Sequence, residues 1–186
     1  MQVVAQLKTH YRAVDFICCV DSEANVRALS AFFAAQGQTL DVLIELGVPG
    51  GRCGCRSVDD ALALAQRVSD LPGLRLRGLE LYEGVLHGDD PQPQVEALLQ
   101  QAAALACRME SLVDGEFILT GAGTVWYDVV CNIWLAAAKP RRAVSHPPWL
   151  LYHPRSRDLR SRTTRADRPR SDCLRSAPAI LHQRWS

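Results

Sequence analysis

Apolar residues fall along this chain in two alternating rhythms: short, nearly continuous runs, and longer stretches spaced by three and four. Residues 15–21, DFICCVD, predict a buried strand, and Ser22 can cap a following helix with Val26, Leu29, Phe32 and Phe33 on its apolar face, ended by Gly37. Val42, Leu43, Ile44 and Leu46 form a second β-prone run, of the kind covered on both faces in a parallel sheet. Ser57, with Asp60 three residues on, is a capping-box arrangement; Ala61, Leu64, Ala65, Val68 and Leu71 then repeat at helical spacing until Pro72-Gly73. Residues 74–82 predict a third strand. Its alternation Leu74/Arg75/Leu76/Arg77 changes phase at Gly78, which predicts a bulge that re-aims Tyr82. Past a polar loop, EGVLHGDDPQPQ, residues 95–112 predict a helix. Phe117, Ile118 and Leu119 make a fourth strand that runs into Gly121-Ala122-Gly123-Thr124, and residues 125–138 return as a helix.

Four strand–helix units in series predict an α/β fold with a parallel sheet and right-handed crossovers, either open and doubly wound or part of an eight-unit barrel. A complete barrel takes ~250 residues, so the matched part would supply about half of one. Residues 1–14 form a lead, 15–139 the βα body, and 140–186 a tail of different character.

The chain has 186 residues and 48% hydrophobic content, enough for one domain with a real core. No apolar run approaches the ~20 residues that span a bilayer, so no membrane association is expected. The opening MQVVAQLKTHYR lacks the apolar core and cleavage site of a signal peptide, and the default compartment is cytoplasmic. The seven cysteines are odd in number; Cys18, Cys19, Cys107 and Cys131 sit in apolar patterns that suit reduced, buried thiols. Cys53 and Cys55 lack a second Cys or His pair at zinc spacing. The net charge of +1 hides two opposed parts: residues 1–139 carry ten Lys and Arg against seventeen Asp and Glu, and residues 140–186 carry eleven Arg against three Asp.

Candidate chemistry collects where strands empty into loops. Residues 41–55, DVLIELGVPGGRCGC, put one cation, Arg52, among glycines at the carboxyl end of a buried strand, where α/β proteins place ligand contacts; the alternative is a flexible turn with a solvated arginine. Gly121-Ala122-Gly123-Thr124 offers backbone N–H groups at a helix start, as phosphate binding requires, or is only a tight turn. Tyr82 ends a strand on the same rim, as a ligand contact or a rim aromatic. Glu83 and His87 are nearby acid–base candidates, although a loop His beside Asp89 and Asp90 suits a solvated role.

Together, CCVDSEANVRAL, VLIELGVPGGRCGCR, LRGLELYEGV and ILTGAGTVWYDVV, in this order, resemble the bacterial D-serine deaminase-like amino acid deaminases. These belong to the D-threonine aldolase and D-serine dehydratase family of pyridoxal-phosphate enzymes. The likeness covers about residues 15–138. It implies a partial (β/α) barrel of the alanine racemase N-terminal type, about four βα units with an irregular C-terminal tail, and pyridoxal 5'-phosphate at the barrel mouth. By the same resemblance Gly121, Gly123 and Thr124 match the phosphate loop, Arg52 the arginine facing cofactor and substrate carboxylate, and Tyr82 the tyrosine at the cofactor edge. The implied partner is a small D-3-hydroxy amino acid, and the implied reaction is loss of ammonia or retro-aldol cleavage.

The chain departs from that pattern in two ways. The family anchors its cofactor as a Schiff base on a lysine well before the VDS strand, whereas this chain has only Lys8 and Lys139, and neither is well placed. The family's divalent metal, zinc or manganese, has its ligands near the C-terminal end, and nothing here matches them. The expectation is therefore a lyase fragment with little or no turnover. A binding protein for pyridoxal phosphate or another phosphate ligand is the alternative. Unpaired strand edges also allow a homo-oligomer.

The basic tail reads either as an arginine-rich extension able to meet nucleic acid, which is not the expected partner, or as out-of-frame translation. Read one nucleotide forward, residues 145–159 permit a peptide resembling the family's next strand; Trp149, with its single codon, forces a glycine there.

Overall fold

The computed structural model describes residues 1–11, 15–121, 123, 125–136 and 142–145. In chain order the elements are α1 (Gln2–His10), β1 (Ile17–Val20), α2 (Glu23–Ala35), β2 (Leu40–Leu46), α3 (Val58–Asp70), β3 (Leu74–Leu81), α4 (Gln92–Met109), β4 (Phe117–Thr120), α5 (Tyr127–Ala136) and β5 (Arg142–Ser145). The five strands are all parallel and lie side by side in sequence order, β1-β2-β3-β4-β5.

The alternation of side chains across this sheet decides between the two architectures left open by the sequence. Cys18 and Val20 of β1, Val42, Ile44 and Leu46 of β2, Leu79 and Leu81 of β3, and Phe117 and Leu119 of β4 pack in one large cluster. The same cluster contains the apolar stripes of the helices, among them Val26 and Phe33, Ala61 and Val68, Leu99 and Leu105, and Val130 and Trp134. Ile17, Leu43 and Ile118 occupy the other face, with Cys19 against them. Strands laid down in order, with every helix stripe on one face, are the singly wound arrangement of a barrel wall and not a doubly wound sheet. Each fully buried large side chain, such as Phe33, Phe117 or Trp134, contributes roughly 1.5–3 kcal/mol of transfer free energy to holding helices on the wall.

Local chemistry sets the element boundaries. Ser57 Oγ accepts the Asp60 N–H at 3.1 Å and donates to the Asp60 carboxylate at 2.7 Å, the reciprocal cap that starts α3. The helix α4 begins before the expected residue 95 because Pro93, which lacks an N–H, fits a first turn whose donors have no intrahelical partner. The lead segment folds as α1, an element not anticipated from the sequence, and buries Val4 and Ala5 in the core.

The bulge in β3 is present. Val42 pairs with Leu76 but Leu43 pairs with Gly78, so Arg77 is an extra residue on its strand. Its effect is a change of parity: Leu76 faces the helices, and so do Leu79 and Leu81, three and five residues on. Glu80 and Tyr82 are thereby turned away from the helix side. Gly78 has φ of 150°, and a Cβ there would run into the Ile118 carbonyl of β4.

Within the segment expected to be irregular, residues 142–145 form β5, in register with all of β4. The out-of-frame reading of the tail concerns residues 145–159, of which all but Ser145 lie outside the described residues, and so does Lys139. Among the described residues no helix is long and apolar enough to cross a membrane.

Candidate functional site

The carboxyl ends of β2, β3 and β4 lie together at one rim, and their loops carry the residues singled out by sequence. After β2, the chain turns back on itself: Cys55 N–H donates to Glu45 O at 2.7 Å, and Gly47 N–H donates to Cys55 O at 2.9 Å. Gly54 N–H donates to the Asp21 carboxylate at 2.9 Å, tying the loop to the end of β1. The Arg56 guanidinium donates to the Val48 and Cys53 carbonyls at 3.1 and 3.0 Å, closing the turn from below.

This scaffold presents Arg52 to solvent with its guanidinium carbon 5.4 Å from the centroid of the Tyr82 ring, a cation–π arrangement. Gly123, from the loop after β4, packs on the opposite partner: a Cβ at that position would stand 3.0 Å from Tyr82 Cε2 and 3.4 Å from Glu83 Oε1. At Gly121 a Cβ would lie 2.7 Å from the Leu81 carbonyl and 2.8 Å from the Trp134 indole. Gly121 is therefore glycine for lack of room, whereas a side chain at Gly123 would fit only if the Tyr82 ring gave way by a few tenths of an ångström. Arg52 and Gly123 thus both adjoin the Tyr82 ring, while Thr124 and Ala122 lie outside the described residues.

Of the two acid–base candidates, the rim takes only Glu83. Its side chain is fully buried, and its Oε1 accepts the Gly123 N–H at 2.5 Å. The Gly123 N–H is thereby satisfied within the protein, and the carboxylate ties the loop after β4 to the end of β3. His87 is exposed and lines a separate shallow groove with Pro49, Gly50 and α4 residues Gln94 and Gln101. Sequence reasoning ranked Glu83 with His87 because both sit in one polar loop. The signal that could have separated them is position: Glu83 lies next to Tyr82 just past the end of β3, whereas His87 lies further along the loop.

The cysteines of the first loop do not form a metal pair. Cys53 Sγ donates to Glu45 Oε1 at 2.7 Å, whereas Cys55 Sγ donates to the Asp21 carbonyl at 3.6 Å. Burial, helped by the nearby Asp21 and Asp60 charges, pushes the Cys55 thiol up to about 11, which leaves it protonated and unreactive at neutral pH. None of the six described cysteines is in a disulfide.

Lys8 stands on the other side of the wall. It lies in the last turn of α1, and its charge is felt by Cys18, a member of the helix-covered cluster. Among the described residues no lysine amine therefore reaches the rim.

Comparisons with known proteins agree with this fold. Residues 4–124 match the family model described as alanine racemase, N-terminal domain. The chain is 33% identical over 117 residues to a D-threonine aldolase from Arthrobacter sp, covering 61% of this chain and 31% of that protein. It is 32% identical over 99 residues to D-threo-3-hydroxyaspartate dehydratase from Delftia sp. (strain HT23), covering 53% of this chain and 26% of that one. The crystal structure of D-threonine aldolase from Filomicrobium marinum superposes with a TM-score of 0.53 at 26% identity, covering 72% of this chain and 36% of that one. The chain thus spans about a third or less of the length of these relatives.

Proposed function

The chain belongs to the alanine racemase N-terminal domain family, and on that premise we propose that it is part of a pyridoxal-phosphate-dependent lyase acting on a D-3-hydroxy amino acid. The observation that carries this reading is the meeting of three loops: the Arg52 guanidinium 5.4 Å over Tyr82, with Gly123 packed on the same ring. The residues present fit the anionic and aromatic parts of the cofactor. Gly121 and Gly123 leave no side chain between the backbone and an approaching phosphate, and the N-terminus of α5 a few residues on adds a dipole favouring negative charge by about 0.3–1 kcal/mol.

In this reading, Arg52, always charged and with a forked donor set, pairs with the substrate carboxylate and orients it. Tyr82 bounds the ring edge and excludes water from one side. Glu83 holds the Gly123 loop in place until an anion competes for its N–H. When bound, the pyridoxal ring supplies an electron sink for charge developed at the substrate α carbon. Placement of Lys8 on the helix side favours a chain that docks the cofactor without a covalent anchor, and so a holder of the cofactor with little turnover of its own.

The test is a titration of the full chain with pyridoxal phosphate, read by quenching of tryptophan fluorescence. Saturable binding is expected, weakened ~10-fold, or about 1.4 kcal/mol, by Arg52→Ala. Borohydride reduction followed by peptide mass mapping is expected to leave Lys8 unmodified. Absence of saturable binding, or equal affinity in Arg52→Ala and Gly123→Val, refutes the proposal.

A further inference from the structure

We propose that the concave face of the wall, below the rim, carries a divalent metal site of the thiolate–carboxylate class that suits zinc and cobalt, with Cys19, Glu45 and Glu80 as ligands. This inference does not rest on the cofactor reading. Strand alternation sets up the cluster. Because Ile44 and Leu46, and Leu79 and Leu81, point into the helix-covered cluster, the residues between them, Glu45 and Glu80, point to the opposite face, where Cys19 also packs. One ligand atom from each of Cys19, Glu45 and Glu80 lies within 4.8 Å of the others. A tetrahedral zinc with bonds of ~2.3 Å to sulfur and ~2.1 Å to oxygen sets its ligands roughly 3.5 Å apart, so modest side-chain rotation closes the site.

Glu45 and Glu80 are direct partners across β2 and β3, so their side chains leave the sheet on the same face. One further observation points to a cation. Independently, Thr120 is the β4 partner of Glu80 and so shares its face; its side chain is 0% exposed and its Oγ1 has no hydrogen-bond partner. A buried hydroxyl oxygen left without a donor on the strand next to Glu80 suits an ion or its bound water. The Cys53 thiol, at 2.7 Å from Glu45 Oε1, places a second sulfur beside the same carboxylate. On binding, a metal–sulfur bond replaces the Cys19 S–H bond, and the thiol proton leaves to solvent.

Cobalt(II) added to the reduced full chain tests the site through the thiolate-to-cobalt charge-transfer band and the visible d–d bands. One equivalent is expected to bind, with zinc displacing it. Cys19→Ser is expected to abolish the charge-transfer band, and Glu45→Gln and Glu80→Gln, which keep side-chain shape, to weaken affinity by ~10-fold or more while far-UV dichroism is unchanged. The exposed Cys107 and the tail Cys173 serve as controls, and their serine variants are expected to keep the band. The proposal is overturned if no band forms, if it survives Cys19→Ser, if it is lost in either control, or if both glutamine variants bind cobalt as tightly as the parent.

Discussion

Asp41 offers the sharpest test of which end of the wall serves stability. Its side chain is 4% exposed and accepts from Arg75 at 2.7 and 2.8 Å and from Arg77 at 3.1 Å. All three bonds are charge-assisted, and removing one partner of a buried pair costs about 3–5 kcal/mol because it strands the other charge. Here the loss is smaller, since Arg75 is 53% exposed and returns to water, while Arg77, at 18%, does not. We expect Asp41→Ala to cost about 2–3 kcal/mol, a fall in Tm of roughly 5–10 °C for a domain of this size. The coupling of Asp41 to Arg77 in a double-mutant cycle should exceed its coupling to Arg75. Asp41 sits near the start of β2, opposite the rim, so pyridoxal-phosphate affinity of the folded variant should be unchanged. Urea unfolding of the single and double variants measures the first two quantities, and the fluorescence titration the third. A cost under ~1 kcal/mol, or a stronger coupling to Arg75, would refute the burial argument.

The Cys18 thiol is pushed by burial from 9.0 to about 11, against the opposing pull of the Lys8 and N-terminal charges. The unfolded chain therefore loses this proton first, so the contribution of Cys18 is intact below pH 9 and is lost as pH climbs towards 11, by about 2–3 kcal/mol. Urea unfolding across that window should fall less steeply in Cys18→Ala than in the parent; equal slopes would contradict the assignment. Gly78→Ala drives a methyl into the Ile118 carbonyl at a φ of 150°, and we expect a loss of at least ~2 kcal/mol together with a displaced Tyr82, seen as weaker cofactor binding. Unchanged thermal stability would show that the bulge has another geometry. For the tail, resequencing of the coding DNA for residues 138–145 should reveal a single-base change that restores a longer frame, and a confirmed sequence with no such change removes the out-of-frame reading.

Legibility followed how locally each feature is determined. The β2 run, the Ser57–Asp60 cap and the phase change at Gly78 depend on residues within a few positions, and each appears where the pattern predicts. The closeness of Arg52, Tyr82 and Gly123 follows from their places in the loops after β2, β3 and β4, because parallel strands bring their carboxyl ends together. The α1 helix escaped notice because Val4 and Ala5 are too few to form a stripe without the sheet they cover. The split between Glu83 and His87 was hidden as well, since burial depends on the Gly123 loop some forty residues away.

Hydrophobic rhythm and turn chemistry alone determined that this chain builds parallel strands with helices between them, and that its loops gather cations, aromatics and glycines at one end. Tertiary packing alone decided the rest: that every helix stripe lies on one face, that Arg77 is the residue left over in the bulge, and that Cys19, Glu45 and Glu80 meet on the concave side. The reason is separation along the chain. Strand alternation assigns a face within one element, but which distant residues share that face is set only when register and bulge are fixed between strands.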